Sequence, residues 1–389
     1  MKAAVFHSPG KITCDTVDDP KIKEPSDIIL KVTSTAICGS DLHMYSGGIP
    51  QPRPMTMGHE FMGIVEEIGS EVTKLKVGDR VVVPFPRSNV DAVIFVITIY
   101  LGLASHSNEE NYGPEGGIMT EKGGGMFGYT DLYGGYDGGQ AQYVRVPYGD
   151  FGPRVVPDNL TDDQALFLTD IFPTGYTGVM WGELKGGETV AIFGAGPVGS
   201  MAAKSAILKN AGQVIVVDTQ QYRLDQIKRL TGCETILWKD GKEVIEHIRS
   251  LTHGRGADLC IDAVGFEPDR NLIDKAKAVI NLEKGSIKVI EACMSAVRRG
   301  GKVSILGVYP YNYDNFKVGQ IFDKGLRIQA GQCPVHAIID ELIGYVNDGK
   351  VVLDDIITHR LSIDEVAKGY DIFDKKEDGC VKVVLDPWI

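Results

Sequence analysis

The fold is decided by the stretch TVAIFGAGPVG at residues 189–199. Its first five residues form a continuous apolar run, and glycines follow at positions 194, 196 and 199 with G-x-G-x-x-G spacing. A helix-like segment runs from Val198 to Lys209, and a second apolar run occupies 214–217. A strand, a glycine turn and a helix in this order are typical of a dinucleotide-binding βαβ unit.

Each residue type in this turn has a chemical reason. The first glycine permits a tight turn, the second lets the backbone approach a pyrophosphate, and the third lets helix and strand pack closely. The N-terminus of the helix offers free N–H groups and a positive dipole end to the phosphates. The predicted cofactor-binding residues are Gly194, Gly196, Pro197, Val198, Gly199, Asp218 and Arg223. The alternative is a glycine turn of an ordinary α/β protein with no ligand.

Asp218 bears on the choice of dinucleotide. It ends the second apolar run, 19 residues after Gly199. A carboxylate at this place accepts hydrogen bonds from the ribose hydroxyls and repels a 2′-phosphate. We therefore expect NAD rather than NADP, although the nearby Arg223 weakens this preference.

The chain outside this unit falls into two textures. Residues 1 to about 155 combine Gly and Pro with short β-branched stretches, which indicates a mainly β, barrel-like domain. From about 188, apolar strands alternate with helices, and 259–261 and 303–306 repeat the pattern. This alternation predicts an α/β domain with a doubly wound parallel sheet. We expect a helix over 335–347 to close that domain and a further strand over 380–385, which spacing does not assign to either domain.

Bulk composition excludes several classes of protein. The 389 residues carry 52 acidic and 40 basic side chains, a net charge of −12, which argues against nucleic acid as a partner. The seven cysteines form no CxxC pair, which favours a reduced, intracellular protein over a disulfide framework. The N-terminus has no signal-peptide layout, and the longest apolar run, Ala92–Leu101, is too short for a bilayer. We expect a cytoplasmic protein that does not contact membranes.

Two short segments contain candidate metal ligands. Cys38-Gly39-Ser40-Asp41-Leu42-His43 is one, and Gly58-His59-Glu60 is the other. A thiolate and an imidazole are good zinc ligands, and a catalytic zinc needs three protein ligands with an open position. Taken singly, Cys38 is more often a small buried hydrophobe and His59 a hydrogen-bonded histidine. Spacing alone does not choose a third donor.

Together these segments resemble the zinc-containing medium-chain alcohol dehydrogenases, and within them the formaldehyde dehydrogenase-like branch. The matching segments are residues 38–43, 58–61, 77–81, 139–144, 169–176, 194–199 and 379–382, which extend over nearly the whole chain. The resemblance implies a GroES-like, mainly β catalytic domain from residues 1–170 and 350–389. It also implies a Rossmann NAD-binding domain from residues 171–349.

The resemblance also implies roles at the metal. The third zinc ligand falls on Asp170, where much of the family has a cysteine, and Glu60 is an alternate ligand. Asp41 orients His59. Ser40 exchanges the substrate proton, and His43 passes it toward solvent, although a plain surface histidine remains the alternative for His43.

One segment departs from the family pattern. Many relatives hold a second, structural zinc with four closely spaced cysteines, but no cysteine occurs here between positions 39 and 232. The corresponding segment, 87–106, contains an apolar, β-prone run. Either this lobe packs against a partner subunit, or the segment is a frame-shifted version of a cysteine-containing lobe. We expect a single, catalytic zinc.

These expectations define an oxidoreductase. The first hypothesis is a zinc- and NAD-dependent dehydrogenase of a small alcohol or hydrated aldehyde, with formaldehyde as the favoured substrate. Alternatives are an S-(hydroxymethyl)glutathione dehydrogenase, a formaldehyde dismutase, and a catalytically silent nucleotide-binding protein. The resemblance also implies a homo-oligomer, commonly a tetramer.

Overall fold

The structure is a computed structural model that describes residues 1–87, 125–265, 287–309 and 316–389. This part of the chain forms two compact units: unit 1 comprises Met1–Pro173 and Cys333–Ile389, and unit 2 comprises Thr174–Gln332. Among the described residues, no helix is long and apolar enough to cross a membrane.

The strands are named in chain order. They are β1 (Lys2–Ser8), β2 (Lys11–Thr16), β3 (Ile28–Ile37), β4 (Met55–Thr56), β5 (Glu60–Ile68), β6 (Arg80–Val83), β7 (Tyr143–Val146), β8 (Arg154–Val155), β9 (Thr189–Phe193), β10 (Gln213–Asp218), β11 (Glu234–Leu237), β12 (Ala257–Asp262), β13 (Val297–Ile305), β14 (Arg327–Ala330), β15 (His359–Ser362) and β16 (Val383–Asp386).

The α-helices are named in the same way. They are α1 (Asp41–Tyr45), α2 (Asp162–Leu166), α3 (Ile171–Trp181), α4 (Pro197–Leu208), α5 (Gln221–Thr231), α6 (Gly241–Leu251), α7 (Lys288–Ala296), α8 (Val318–Lys324), α9 (Val335–Asn347) and α10 (Val366–Lys375).

Unit 1 is built on a large sheet with the strand order β15-β16-β3-β5-β6-β8, to which β7 adds by pairing with β3. A smaller antiparallel sheet has the order β2-β1-β4. Alternate residues of β3, among them Ile28, Leu30 and Val32, are buried in a core with Phe61 of β5. This period of two places one face of β3 in the core. The mainly β domain predicted for the N-terminal region is confirmed.

The C-terminal strand returns to unit 1. β16 pairs antiparallel with β3, with Val383 opposite Ile37. The question that spacing left open about the strand predicted over 380–385 is thereby answered. The pairing brings Lys382, the residue before β16, close to Ile37 and therefore to Cys38.

Unit 2 is the predicted doubly wound sheet. Its order is β11-β10-β9-β12-β13-β14, with parallel pairing throughout. Ala191 and Phe193 of β9 pack in one buried cluster, while Val190 and Ile192 pack in a second cluster. Because successive side chains of a strand point to opposite faces, residues 190–193 place apolar side chains on both faces of the sheet, and both faces are covered.

The unit boundaries differ from those expected at 170/171 and 349/350. The division falls at Pro173–Thr174 and at Gln332–Cys333. The sequence places the helix over 335–347 in the nucleotide-binding domain, whereas the structure places α9 in unit 1. A histidine of α9, His336, lies with its Nε2 3.0 Å from the carbonyl oxygen of Pro86, and Asp340 accepts a hydrogen bond from Arg154 at 3.1 Å. The periodicity of apolar residues predicts that a helix exists, but it does not predict which side-chain contacts the helix makes.

Candidate metal and dinucleotide sites

Strand pairing in unit 1 positions the candidate metal ligands. Cys38 follows the last residue of β3, and His59 precedes the first residue of β5. The register of β3 with β5 sets Ala36 opposite Glu60, so the ends of both strands lie side by side. Asp170 immediately precedes α3, and the neighbouring Thr169 carbonyl accepts a hydrogen bond from the N–H of Phe85 at 3.1 Å.

The four side chains of Cys38, His59, Glu60 and Asp170 converge. Each offers a ligand atom, and these atoms lie within 4.8 Å of one another. Oδ2 of Asp170 lies 3.3 Å from Sγ of Cys38 and 3.4 Å from Nε2 of His59. Zinc bonds of about 2.0–2.3 Å in tetrahedral geometry separate the donor atoms by roughly 3.3–3.6 Å. The observed separations fit a zinc ion held by these three residues.

The burial and the pKa shifts of these side chains also fit a bound cation. All four side chains are buried. Burial, followed by the charges of Asp170 and Glu60, raises the pKa of the Cys38 thiol. Burial alone would lower the pKa of His59, but the charges of Asp41 and Cys38 outweigh it and raise this pKa well above its usual value. A divalent ion would favour the thiolate and the neutral imidazole that metal binding requires.

Buried polar side chains lie on the side of His59 that carries Nδ1. Nδ1 of His59 faces Oδ1 of Asp41 at 3.3 Å. The other carboxylate oxygen of Asp41 accepts hydrogen bonds from the N–H of Cys38 at 3.0 Å and from Nε2 of Gln140 at 3.2 Å. The hydroxyl of Tyr370, on α10, donates to Oε1 of Gln140 at 2.9 Å. This arrangement leaves Nε2 of His59 on the side of Cys38 and Asp170, as a ligand requires.

Glu60 has a different partner. Its Oε1 accepts a hydrogen bond from Nζ of Lys382 at 2.6 Å, and neither side chain is exposed to solvent. Nζ of Lys382 also donates to the carbonyl oxygen of Ile37 at 3.0 Å. The second carboxylate oxygen, Oε2, is buried and has no hydrogen-bond partner among the described residues. A buried carboxylate oxygen without a donor is a further feature that fits a metal ion.

The candidate proton-transfer residues lie at the start of α1. Oγ of Ser40 lies 3.1 Å from Nε2 of His59, which places this hydroxyl beside the metal ligands. The half-buried His43 is one turn further on, and its N–H donates to the carbonyl oxygen of Ser40 at 3.1 Å. The backbone therefore holds Ser40 and His43 together.

The glycine turn of unit 2 has the geometry that the sequence predicts. Gly194 has φ +105°, a value that favours glycine, and a Cβ atom on Gly199 would lie 1.9 Å from the carbonyl oxygen of Gly194. Gly196 is the N-cap of α4, and Pro197 and Val198 are its first residues. The third glycine is thus required by the close packing of α4 on the turn.

The acidic residue of the dinucleotide pattern is tied to this turn. Oδ2 of Asp218 accepts a hydrogen bond from the N–H of Ala195 at 2.6 Å, and Oδ1 accepts one from the N–H of Gln220 at 2.7 Å. Nη1 of Arg223 lies 3.8 Å from the position that a Cβ atom of Gly196 would occupy. All seven predicted cofactor-binding residues therefore lie on the turn, on the start of α4 or close beside them.

Comparison with known proteins identifies the family. Residues 24–157 match the alcohol dehydrogenase GroES-like domain, and residues 197–276 match the zinc-binding dehydrogenase domain. A zinc-type alcohol dehydrogenase-like protein of Bacillus subtilis, AdhB, is 39% identical over 390 residues, which cover 100% of both chains. The chain belongs to the zinc-containing medium-chain alcohol dehydrogenase family.

Other members of the family are similar over comparable lengths. The glutathione-independent formaldehyde dehydrogenase of Pseudomonas aeruginosa is 32% identical over 409 residues, covering 99% of this chain and 97% of the relative. The solved structure of alcohol dehydrogenase TADH from Thermus sp. ATN1 has a TM-score of 0.79 at 30% identity, with 99% of each chain covered. The predicted family and the fold class, a GroES-like domain with a Rossmann domain, are confirmed.

Membership of this family implies zinc and a nicotinamide cofactor, and the buried donor set in unit 1 fits the metal. The segment 87–106, which corresponds to the lobe that holds the structural zinc in many relatives, lies outside the described residues except for Arg87. The expectation of a single zinc therefore stays a prediction, as do both explanations of that lobe.

Three residues around the candidate metal site were not identified as functional from the sequence. Gln140, Tyr370 and Lys382 complete the surroundings of the ligands, and each lies far along the chain from the ligand that it supports. Gln140 and Lys382 do fall within segments that match the family, and that match is the available signal. A buried lysine or glutamine cannot be told from an exposed one by its neighbours in sequence.

Proposed function

We propose that this protein uses zinc and NAD to oxidise a small primary alcohol or a hydrated aldehyde, with formaldehyde as the favoured substrate. The observation that carries the proposal is the convergence of Cys38, His59 and Asp170 on one buried point in unit 1. A dinucleotide turn in unit 2 supplies the second requirement of the reaction.

Cys38, His59 and Asp170 would hold the zinc. When bound there, zinc supplies a Lewis acid that lowers the pKa of a substrate hydroxyl, and the nicotinamide accepts the hydride. An aspartate in place of a second thiolate donates less electron density, so the ion should be a stronger Lewis acid than one with two sulfur ligands. Asp41 fixes the orientation of the His59 ring through the contact between Oδ1 and Nδ1.

Ser40 is the proposed first acceptor of the substrate proton. Its Oγ lies 3.1 Å from Nε2 of His59. A metal at Nε2 would occupy the lone pair of this nitrogen and release the hydroxyl for the substrate. His43 is the proposed next acceptor, because the first turn of α1 holds it close to Ser40 and leaves it half-buried rather than fully enclosed.

NAD is the proposed cofactor. The Asp218 carboxylate lies at the glycine turn and carries a negative charge toward the region that binds the adenosine ribose. A 2′-phosphate would be repelled there. Arg223 is near enough to contribute to phosphate binding, so the preference for NAD should be substantial rather than absolute.

The surroundings of His59 support a small substrate. The rings of Phe85 and Tyr129 stand edge-on to the imidazole, with centroids 6.3 and 5.9 Å away, and both side chains are buried. A relative from Pseudomonas aeruginosa is named as a glutathione-independent formaldehyde dehydrogenase, which supports formaldehyde without a thiol carrier. Turnover of the glutathione adduct and dismutation of formaldehyde are the alternatives that the test must separate.

The test is a substrate panel on zinc-loaded protein. NADH absorbance, formate and methanol are measured with formaldehyde and with short primary alcohols, each in the presence and absence of glutathione. We expect NADH formation without glutathione. Equal formation of formate and methanol without net NADH would indicate dismutation instead. Protein that binds zinc but oxidises none of these compounds would refute the proposed activity.

A further inference from the structure

The buried ion pair behind the metal ligands has a chemical consequence. Lys382 and Glu60 are both fully buried and lie 2.6 Å apart. The ammonium is held in place by a second hydrogen bond, to the carbonyl oxygen of Ile37, the residue before Cys38. Glu60 therefore has one oxygen bound to a fixed cation and one oxygen, Oε2, without a partner among the described residues.

The charges around the metal ligands show what this pair contributes. The Cys38 thiolate and the carboxylates of Asp41, Glu60 and Asp170 would bring four negative charges into a buried region, against which a divalent metal ion and Lys382 would bring three positive charges. Three protein ligands then leave the metal a position for substrate. Because the ligand atom of Glu60 lies within 4.8 Å of the other donors, a small movement of its carboxylate could bring it into metal-binding distance.

We propose that Lys382 is a positioning residue that restrains Glu60 and so prevents it from becoming a fourth protein ligand. The proposal rests on the proposed zinc site. Without the ammonium, Glu60 would be an uncompensated buried anion, and a metal ion held by Cys38, His59 and Asp170 would be a positive charge close enough to stabilise it. Lys382 thus sets the number of protein ligands, and through it the access of substrate to the metal.

A merely structural role predicts something different. If Lys382 serves only to join β16 to β3, its removal lowers the stability of unit 1 and leaves the metal with the same three ligands. The two roles are separated by a property of the metal itself, since a general loss of stability does not add a ligand.

The experiment uses the full chain with cobalt(II) in place of zinc. Its visible absorption reports coordination, and added thiocyanate reports whether a position is open to an external ligand. The variants are Lys382→Met, Lys382→Arg, Glu60→Gln and the double variant Lys382→Met/Glu60→Gln. The double variant is the matched control, because it removes both members of the pair and leaves no buried charge unpaired.

We expect the wild-type spectrum to respond to thiocyanate. Lys382→Met should abolish the response and tighten zinc binding in chelator competition, because the metal would gain a fourth protein ligand. Lys382→Arg, Glu60→Gln and the double variant should keep the response. If Lys382→Met does not fold, Lys382→Gln replaces it. Its amide keeps N–H donors for Oε1 of Glu60 and for the carbonyl oxygen of Ile37 but removes the positive charge, so the response to thiocyanate should weaken.

Two results would overturn the proposal. One is a thiocyanate response in folded Lys382→Met, or in Lys382→Gln where that variant is used, that equals the wild-type response. The other is a loss of response that the added Glu60→Gln change does not restore. Wild-type protein that binds neither zinc nor cobalt would instead refute the metal site itself, so the two failures are distinguishable.

Discussion

Replacement of Asp41 by Asn tests how the metal site is oriented. The carboxylate accepts from the Cys38 N–H and Gln140 Nε2 with one oxygen and faces Nδ1 of His59 with the other. The side chain of Asn has one oxygen that accepts and one NH₂ group that donates, so it cannot reproduce the two accepting oxygens of the carboxylate. If its NH₂ faces Nδ1, the histidine proton must move to Nε2, the atom that the metal needs. If the amide is reversed, its NH₂ meets two other donors.

The loss of zinc affinity or of folding stability can be estimated for each orientation of the amide. Loss of the partner that orients a ligating histidine weakens metal binding by about 10- to 100-fold, or about 1.4–2.8 kcal/mol. In the reversed orientation the buried N–H donors lose their acceptor, at about 1–3 kcal/mol of folding stability. We therefore expect Asp41→Asn to fold, with a zinc dissociation constant about 10- to 100-fold above that of the wild type.

The assay is competition for zinc with a chromophoric chelator, combined with urea unfolding of the metal-free protein. Asp150→Asn is the matched control. Asp150 also accepts several hydrogen bonds, from Thr73 and Lys74, but contacts none of the metal ligands. It should lower stability without changing zinc affinity. Folded Asp41→Asn with a zinc affinity within about twofold of the wild type would refute the reasoning.

Three further predictions concern the cofactor site and pH. Asp218→Ser removes the negative charge at the turn, and the ratio of kcat/KM with NADP to that with NAD should rise at least about tenfold in parallel initial-rate assays; an unchanged ratio would contradict the role of Asp218. Gly199→Ala places a methyl group 1.9 Å from the carbonyl oxygen of Gly194, so it should lower the free energy of unfolding by about 1–3 kcal/mol and weaken NADH binding in calorimetry. The control is Gly319→Ala, whose added methyl group meets no atom within 4 Å and should change neither stability nor NADH binding. Burial lowers the pKa of His336 to about 4 from 6.5, so the unfolded chain binds more protons between these values and stability is lost as pH falls through this range. His336→Phe should lose less stability than the wild type between pH 7 and pH 5 in urea unfolding, and an equal loss would contradict the argument.

Much of the fold follows from local patterns. The apolar run at 189–193 is β9, and the helix-like segment after the glycines is α4, because a strand buried on both faces and a glycine turn leave distinct marks in sequence. The C-terminal strand was also predicted as a strand, but its partner was not. Strand pairing between positions 346 residues apart, such as Val383 and Ile37, depends on tertiary packing that no local window contains.

The candidate metal site shows the same division. Cys38 and His59 stand out as residue types, and family likeness supplies Asp170, but the spacing alone chooses no third donor. The supporting residues Gln140 and Tyr370 are uncharged, and no local pattern gives either a role, although Gln140 falls within a segment that matches the family. Their importance comes from burial and from the exchange of specific donors and acceptors, which the structure alone shows.

The position of the supporting residues explains why both ends of the chain belong to unit 1. Lys382 and Tyr370 come from the C-terminal segment, yet they contact Glu60 and Gln140 of the N-terminal region. If β16 separated from β3, the ammonium would leave Glu60, and the buried carboxylate would lose its compensating charge. If Lys382 restrains Glu60 as proposed, the pairing of β16 with β3 is also a requirement for a metal site with three protein ligands.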